Sequence, residues 1–398
     1  MFEQALIYRA GVEKRVDIGL LAETLFFYRN THLLLDRSSV TALAKALPQE
    51  ALLELFDRDI VKLSYVQDAF GAIASGIPTA HGFVAFRAAG TAEGKKIRNY
   101  QDEIASVLER ELGESRQTKK FAQKITDRVK LHRWRGVDEG AKLITGQAEG
   151  DLADSAFLRE AAGRILGRLV DGFDSAQPFQ FRALKDGGNG FIIDTNLDYE
   201  SLNAAYHKTV SPQHSSITSS FLLSHLIEAR AESFFSAYYM AESVSVPIIS
   251  DIIELKHFDF LRRREINTND IKLFHEILVP EFPNVRQVIN SKQKTFSEFL
   301  KFLDDADKFK EWLAGTNPDV GLVQSYIEEV KKKSWVEQLP GKAVRFAVAS
   351  GVSAAVGAIG GLAYSLGVGA TNTFLLDRVL KGWRPNQFID DGYKKFVS

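Results

Sequence analysis

The fold class of this chain is predicted most clearly by residues 17–47, DIGLLAETLFFYRNTHLLLDRSSVTALAKAL. Residues 17–28 carry apolar side chains at helical spacing behind an aspartate that can cap a helix, and residues 38–47 repeat the helical pattern. Between them, residues 32–35 form a short apolar run that is typical of a buried strand. With another such run at residues 5–8, this order predicts a small N-terminal α/β unit with partly parallel strands.

The rest of the chain alternates helical patterns with a few short strands. Strands are predicted near residues 61–65 and 82–86, and the turn-forming residues 186–190 between two apolar runs predict a β-hairpin. Most of the chain after residue 93 has helical spacing. We therefore expect an α+β fold that is predominantly helical, with central helices around the β-hairpin. The expected units are an α/β unit, a charged helical layer, a hairpin with a helical domain, and a Gly/Ala-rich helical segment with an amphipathic tail: residues 1–92, 93–175, 176–340 and 341–398.

Composition excludes several classes of function. The 398 residues carry a formal net charge of -1, so no global field draws the protein to nucleic acid, and there is no strong nucleic-acid signal. The chain has no cysteine, which excludes disulfides, thiolate nucleophiles and cysteine-bound metals. The first residues do not have the pattern of a secretory signal. We expect a cytoplasmic protein, with peripheral contact or insertion at the inner membrane as an additional location.

The least usual feature is an uncharged segment near the C-terminus. Residues 346–376 contain no charged side chain, and basic residues and tryptophan lie on both sides of them. A helix needs about 20 apolar residues to cross a bilayer, so the length is sufficient. The many glycines, including Gly360 and Gly361, oppose insertion and could divide the segment into two shorter helices.

Within this segment, small residues recur at every fourth position, a spacing that lets two helices approach closely. They are Ala349, Ser353, Gly357, Gly361, Ser365 and Gly369. Three interpretations stay open: a close-packed helical pair inside the folded core, a membrane segment, or a surface for self-association.

A run of basic residues predicts a cationic stripe within residues 116–135. On one continuous helix, Arg116, Lys120, Lys124, Arg128 and His132 would lie along a single face. Such a face could bind an anionic ligand, for example phosphates of lipid headgroups. The commoner outcome for a basic helix face is simple solvation.

Carboxylates suggest a weaker, catalytic hypothesis. Asp36 and Asp194 follow apolar runs, where two neighbouring strand ends could share a divalent metal, although both also suit helix caps. Asp251, Glu254 and Lys256 imitate a nuclease-type set, but the pattern around them is helical. No cofactor or resident metal is predicted.

Among the eight histidines, His225 is the best candidate for acid–base work, because Glu228 and Glu232 share its helix face. A buried histidine with satisfied hydrogen bonds is the commoner outcome for this pattern. The chain lacks HExxH and Gly-x-Ser-x-Gly motifs, so enzymatic activity is left open.

Two functions remain. The preferred one is a non-enzymatic, effector-type protein whose C-terminal Gly-rich segment mediates membrane association or oligomerisation. The alternative is a soluble metal-dependent phosphodiesterase or nuclease that uses the strand-end carboxylates.

Overall fold

The computed structural model describes residues 2–8, 17–67, 69–75, 83–89, 99–132, 139–185, 190–210, 216–316, 321–332 and 385–398. These residues form a predominantly helical α+β fold with a parallel sheet and an antiparallel sheet, as the sequence predicts. The predicted Gly/Ala-rich helical segment, including its six small residues, lies outside the described residues. The division into four units stays a prediction.

The parallel sheet contains five strands in the order β6-β3-β2-β1-β9. Its three longer strands are those expected from the N-terminal pattern, whereas two short strands join its edges from distant parts of the chain. The strands are β1 (Gln4–Tyr8), β2 (Asn30–Leu35), β3 (Val61–Tyr65), β6 (Lys130–Leu131) and β9 (Glu242–Ser243).

The second sheet is antiparallel, with the order β4-β5-β8-β7. Its strands are β4 (Ala69–Ser75), β5 (Phe83–Ala89), β7 (Phe181–Lys185) and β8 (Gly190–Thr195). Strands β7 and β8 pair antiparallel from Phe181 opposite Thr195 to Lys185 opposite Phe191, which confirms the predicted β-hairpin.

Helices surround both sheets. The first eight are α1 (Ile18–Phe27), α2 (Arg37–Ala46), α3 (Gln49–Phe56), α4 (Tyr100–Leu112), α5 (Arg116–Thr126), α6 (Glu139–Leu152), α7 (Ser155–Leu169) and α8 (Tyr199–Thr209). The remainder are α9 (Ser219–Tyr239), α10 (Pro247–Leu278), α11 (Val285–Asn290), α12 (Phe296–Asp305), α13 (Asp307–Ala314), α14 (Leu322–Lys332), α15 (Pro385–Phe388) and α16 (Lys394–Val397), with a π-helical turn (Ile389–Tyr393) between the last two.

Both faces of the parallel sheet are buried. Successive strand residues point to opposite faces, so Ala5 and Ile7 of β1 join the largest apolar core, while Leu6 and Tyr8 join a smaller one with α9. Helix α9 therefore covers the face opposite α1. Because this helix also contacts β4 of the antiparallel sheet, it lies between the two sheets.

The C-terminal tail packs back into the largest core. Phe388, Tyr393 and Phe396 are buried beside residues from α1, α12 and α13. Phe26 of α1 lies at the centre of this aromatic group, with its ring 5.3 Å from that of Tyr393 and 6.3 Å from that of Phe388. Residues 385–398 thus belong to the folded body.

Candidate functional site

The cationic stripe is shorter than predicted. Helix α5 ends at Thr126, and the chain then becomes strand β6 beside β3, so the continuous helix to His132 was a wrong prediction. Arg128 forms an ion pair with Asp57, with 2.7 Å between Nε and Oδ1. Arg116, Lys120 and Lys124 remain exposed along α5. The exposed cationic surface on α5 therefore contains three of the five residues of the predicted face.

The two strand-end carboxylates have different structural tasks. Asp36 is 5% exposed and caps α2, where its Oδ1 accepts a hydrogen bond from Ser39 N at 2.8 Å. Asp194 lies within β8 and accepts hydrogen bonds from Gln180 and Arg182, each at 2.6 Å. The cap of α8 is Asp198, because the chain stays extended through β8. The helix-cap interpretation is therefore confirmed for Asp36 and wrong for Asp194.

The nuclease-like set lies on α10, in the helix expected there. Asp251 is bound by Arg168, with 2.8 Å between Oδ1 and Nη2, and Glu254 is bound by Arg164 at 2.9 Å. Lys256 contacts Asp151 at 2.7 Å. Within the described ranges, no three His, Cys, Asp or Glu residues form a group that could hold a metal ion.

His225 and Glu232 lie on α9 and are buried. His225 is 0% exposed, its Nδ1 lies 2.8 Å from the carbonyl oxygen of Phe221, and burial lowers the pKa of this histidine to about 4. Glu232 accepts hydrogen bonds from the hydroxyls of Ser243 and Ser245. Burial raises the pKa of Glu232 to about 7, although the two serines oppose that shift. Both groups are enclosed by protein.

Replacement of Glu232 by glutamine should stabilise the protein at pH 8 and leave it nearly unchanged at pH 4. The native carboxyl holds its proton up to about pH 7, whereas the unfolded one releases it near 4.5, so wild-type stability falls as pH rises through this window. At pH 8, the free energy of unfolding of E232Q should exceed that of the wild type by roughly 3 kcal/mol. Urea unfolding of E232Q at several pH values measures it. The exposed Glu311, changed to glutamine, is the control, and equal pH profiles for E232Q and wild type would contradict the prediction.

A small cleft lies at the carboxyl edge of the parallel sheet. Residues of β1, β2 and the chain after β9 line it, next to the point where the strand order reverses, the usual ligand position in open α/β sheets. Its lining is mostly aliphatic. The two polar side chains, Asp17 and Ser39, already hydrogen-bond within the protein.

A second group of polar side chains lies on the α9 face of the parallel sheet. Nε2 of His32 lies 2.9 Å from Oγ of Ser64, and Nδ1 of His132 lies 2.5 Å from the hydroxyl of Tyr239. The tyrosine ring packs edge-on against His32, with 4.1 Å between ring centroids. The two hydrogen-bonded pairs meet where the ring of Tyr239 packs on His32, and we call these four side chains the His32–Ser64 array.

Burial sets the electrostatics of this array. His32 is 4% exposed, and burial, aided by the charges of Lys62 and His132, lowers the pKa of His32 to about 4. Its ring is therefore neutral at pH 7, the form that can accept a hydrogen bond from Ser64. Burial also raises the pKa of Tyr239, while the neighbouring hydroxyl of Ser64 opposes this shift. Ser64 and Tyr239 are both partly exposed, so solvent reaches the array.

Sequence reasoning did not single out this array. His32 and Ser64 are separated by 32 positions and meet only because β2 and β3 are parallel neighbours with His32 opposite Lys62. Tyr239 arrives from the end of α9. The sequence feature that points to this array is the presence of polar residues inside two predicted strands that are otherwise apolar.

Comparison with known proteins identifies no relative of this chain. Neither a protein-family model, nor a curated protein, nor a solved structure matches the chain. The class that the fold defines is a predominantly helical α+β protein. Among the described residues, no helix is long and apolar enough to cross a membrane.

Proposed function

We propose that this protein is a folded α+β body that presents residues 346–376 to a membrane as a hairpin with both ends on the same side. The supporting observation is the placement of the two flanks. Helix α14 buries Leu322, Tyr326 and Ile327 in the largest core, and the tail buries Phe388 and Tyr393 in the same core. Helices α14 and α15 contact each other.

Two fixed ends limit how the segment could insert. A single crossing would place the tail on the far side of the bilayer, away from the core that holds it. Thirty-one residues divided into two helical arms give about 23 Å per arm, less than the hydrocarbon thickness of about 30 Å. The proposal is therefore a shallow hairpin that enters and leaves through one leaflet.

Charge supports the same proposal. Lys331, Lys332 and Lys333 precede the uncharged segment, and Arg378 and Lys381 follow it. Basic residues at such positions attract anionic headgroups by about 1 kcal/mol each. Arg116, Lys120 and Lys124 on α5 are exposed and offer a further anionic contact.

The test is flotation of the full chain with preformed vesicles that contain phosphatidylcholine with or without phosphatidylserine. We expect the wild-type chain to float with the anionic vesicles. Replacement of residues 346–376 by an equally long Gly/Ser linker should abolish flotation, because the linker keeps the flanks connected but removes the apolar side chains. The linker variant should keep the cooperative unfolding of the wild-type chain, which shows that the folded body is intact.

Single cysteines test the topology, since the chain has none of its own. Glu328→Cys on α14 and Asp391→Cys in the tail should both react with a membrane-impermeant maleimide after vesicle binding. Protection of the tail site alone would indicate a single crossing and overturn the hairpin. Wild-type chains that stay monomeric and never float, or that form oligomers through residues 346–376 without lipid, would overturn membrane association.

A further inference from the structure

We propose that the His32–Ser64 array is a nucleophilic site in which Ser64 attacks a carboxylic ester that carries a negative charge. The site contains none of residues 346–376 and does not depend on membrane association. Its parts are a partly exposed hydroxyl, a buried imidazole beside it, a nearby cation and a tyrosine hydroxyl.

The serine and histidine have the geometry of a nucleophile and its base. The distance of 2.9 Å between Oγ of Ser64 and Nε2 of His32 permits direct proton transfer. The other ring nitrogen, Nδ1 of His32, is buried and has no hydrogen-bond partner within the described structure. Only 4% of the His32 surface is exposed. When Nδ1 carries the proton of the neutral ring, Nε2 is the acceptor that faces Ser64.

The charges around Ser64 favour a negatively charged substrate. Lys62 lies opposite His32 in the strand register and two residues before Ser64, so its side chain starts from the same sheet face. It is exposed and raises the positive potential at His32. A positive potential beside the nucleophile favours an anionic ester and the oxyanion that forms from it.

The reaction proceeds in two balanced steps. The hydroxyl proton of Ser64 moves to Nε2 of His32 while Oγ bonds to the ester carbonyl carbon. When the carbon–oxygen bond to the leaving group breaks, the alkoxide takes that proton from His32 and departs as an alcohol, leaving acyl-Ser64. Water then attacks the acyl group with His32 as base, releasing the acid and restoring Ser64.

The cysteine-free chain allows a direct test with one introduced thiol. We expect Ser64→Cys to react with iodoacetamide at pH 7 about tenfold faster than Ser224→Cys, because the positive charge of Lys62, two residues away on the same sheet face, favours the thiolate over the thiol. Ser224 is a matched control: it is partly buried and hydrogen-bonded to the backbone of Ala72 at 3.0 Å. Anionic iodoacetate should enlarge the advantage of position 64. Equal rates at both positions with both reagents would overturn the proposal.

Acyl transfer is tested on the native serine with mono-p-nitrophenyl succinate and peptide mass spectrometry. Succinylation should map to Ser64 in the wild-type chain, disappear in S64A and slow about 100-fold in H32Q. Circular dichroism and a thermal melt establish that each variant is folded. Labelling of S64A at the wild-type rate, or of H32Q as fast as wild type, would contradict the assigned roles.

Discussion

Phe26→Ala should lower the free energy of unfolding by about 3–5 kcal/mol, the usual cost of removing a fully buried phenylalanine. Phe26 is 0% exposed. Its ring lies within 5.6 Å of those of Phe302, Phe309 and Tyr393, so the cavity would open where helices from distant parts of the chain meet. Urea unfolding followed by tryptophan fluorescence and circular dichroism measures the loss.

The same change should loosen the C-terminal tail. Limited proteolysis of F26A should cut within residues 385–398 faster than in wild type, because the tail packs against this ring through Phe388 and Tyr393. Phe282→Ala is the control, since Phe282 is only partly buried at the edge of the same core. A loss below about 1 kcal/mol in F26A would show that this aromatic group does not hold the tail.

Local patterns were sufficient for much of the fold. The alternation of helix and strand in residues 17–47 predicts α1, β2 and α2, and the caps Asp17 and Asp36 are where the sequence places them. These features depend on residues three or four positions apart. The two-residue strands β6 and β9 have no such pattern, because partners 60 to 240 positions away, as in the pair Leu6 and Ser243, determine them.

The sites were harder to predict for the same reason. In the sequence, Arg128 belongs to a predicted basic helix face. In the structure, it pairs with Asp57, which lies 71 positions earlier in the chain. The nuclease-like carboxylates on α10 bind arginines of α7, a contact that no local spacing encodes. The metal-dependent phosphodiesterase stays an untested prediction that these contacts do not favour. Interactions between residues of one helix turn could be predicted from their spacing. Interactions between residues of different strands could be predicted only once the strand register was known.

Lys310→Met should raise the free energy of unfolding at pH 7 by roughly 4 kcal/mol. Lys310 is 3% exposed, and its Nζ is buried without a hydrogen-bond partner among the described residues. Burial lowers the pKa of Lys310 from 10.5 to about 7, an effect that Asp307 opposes and Arg58 reinforces. At about 1.4 kcal/mol per pKa unit, keeping this amine inside the core has a substantial cost. Methionine has a similar length and places no charge there.

The pH dependence of the stability gain in K310M shows whether removal of the lysine charge causes that gain. The unfolded lysine keeps its proton up to about pH 10.5, whereas the native one releases it above about 7, so wild-type stability gains from Lys310 as pH rises through this window. The advantage of K310M, measured by urea unfolding, should therefore shrink steadily between pH 7 and pH 10. Lys308→Met, an exposed neighbour on α13, should differ from wild type by less than about 0.5 kcal/mol at every pH. A constant advantage for K310M would mean that improved apolar packing, and not the removed charge, stabilises the core.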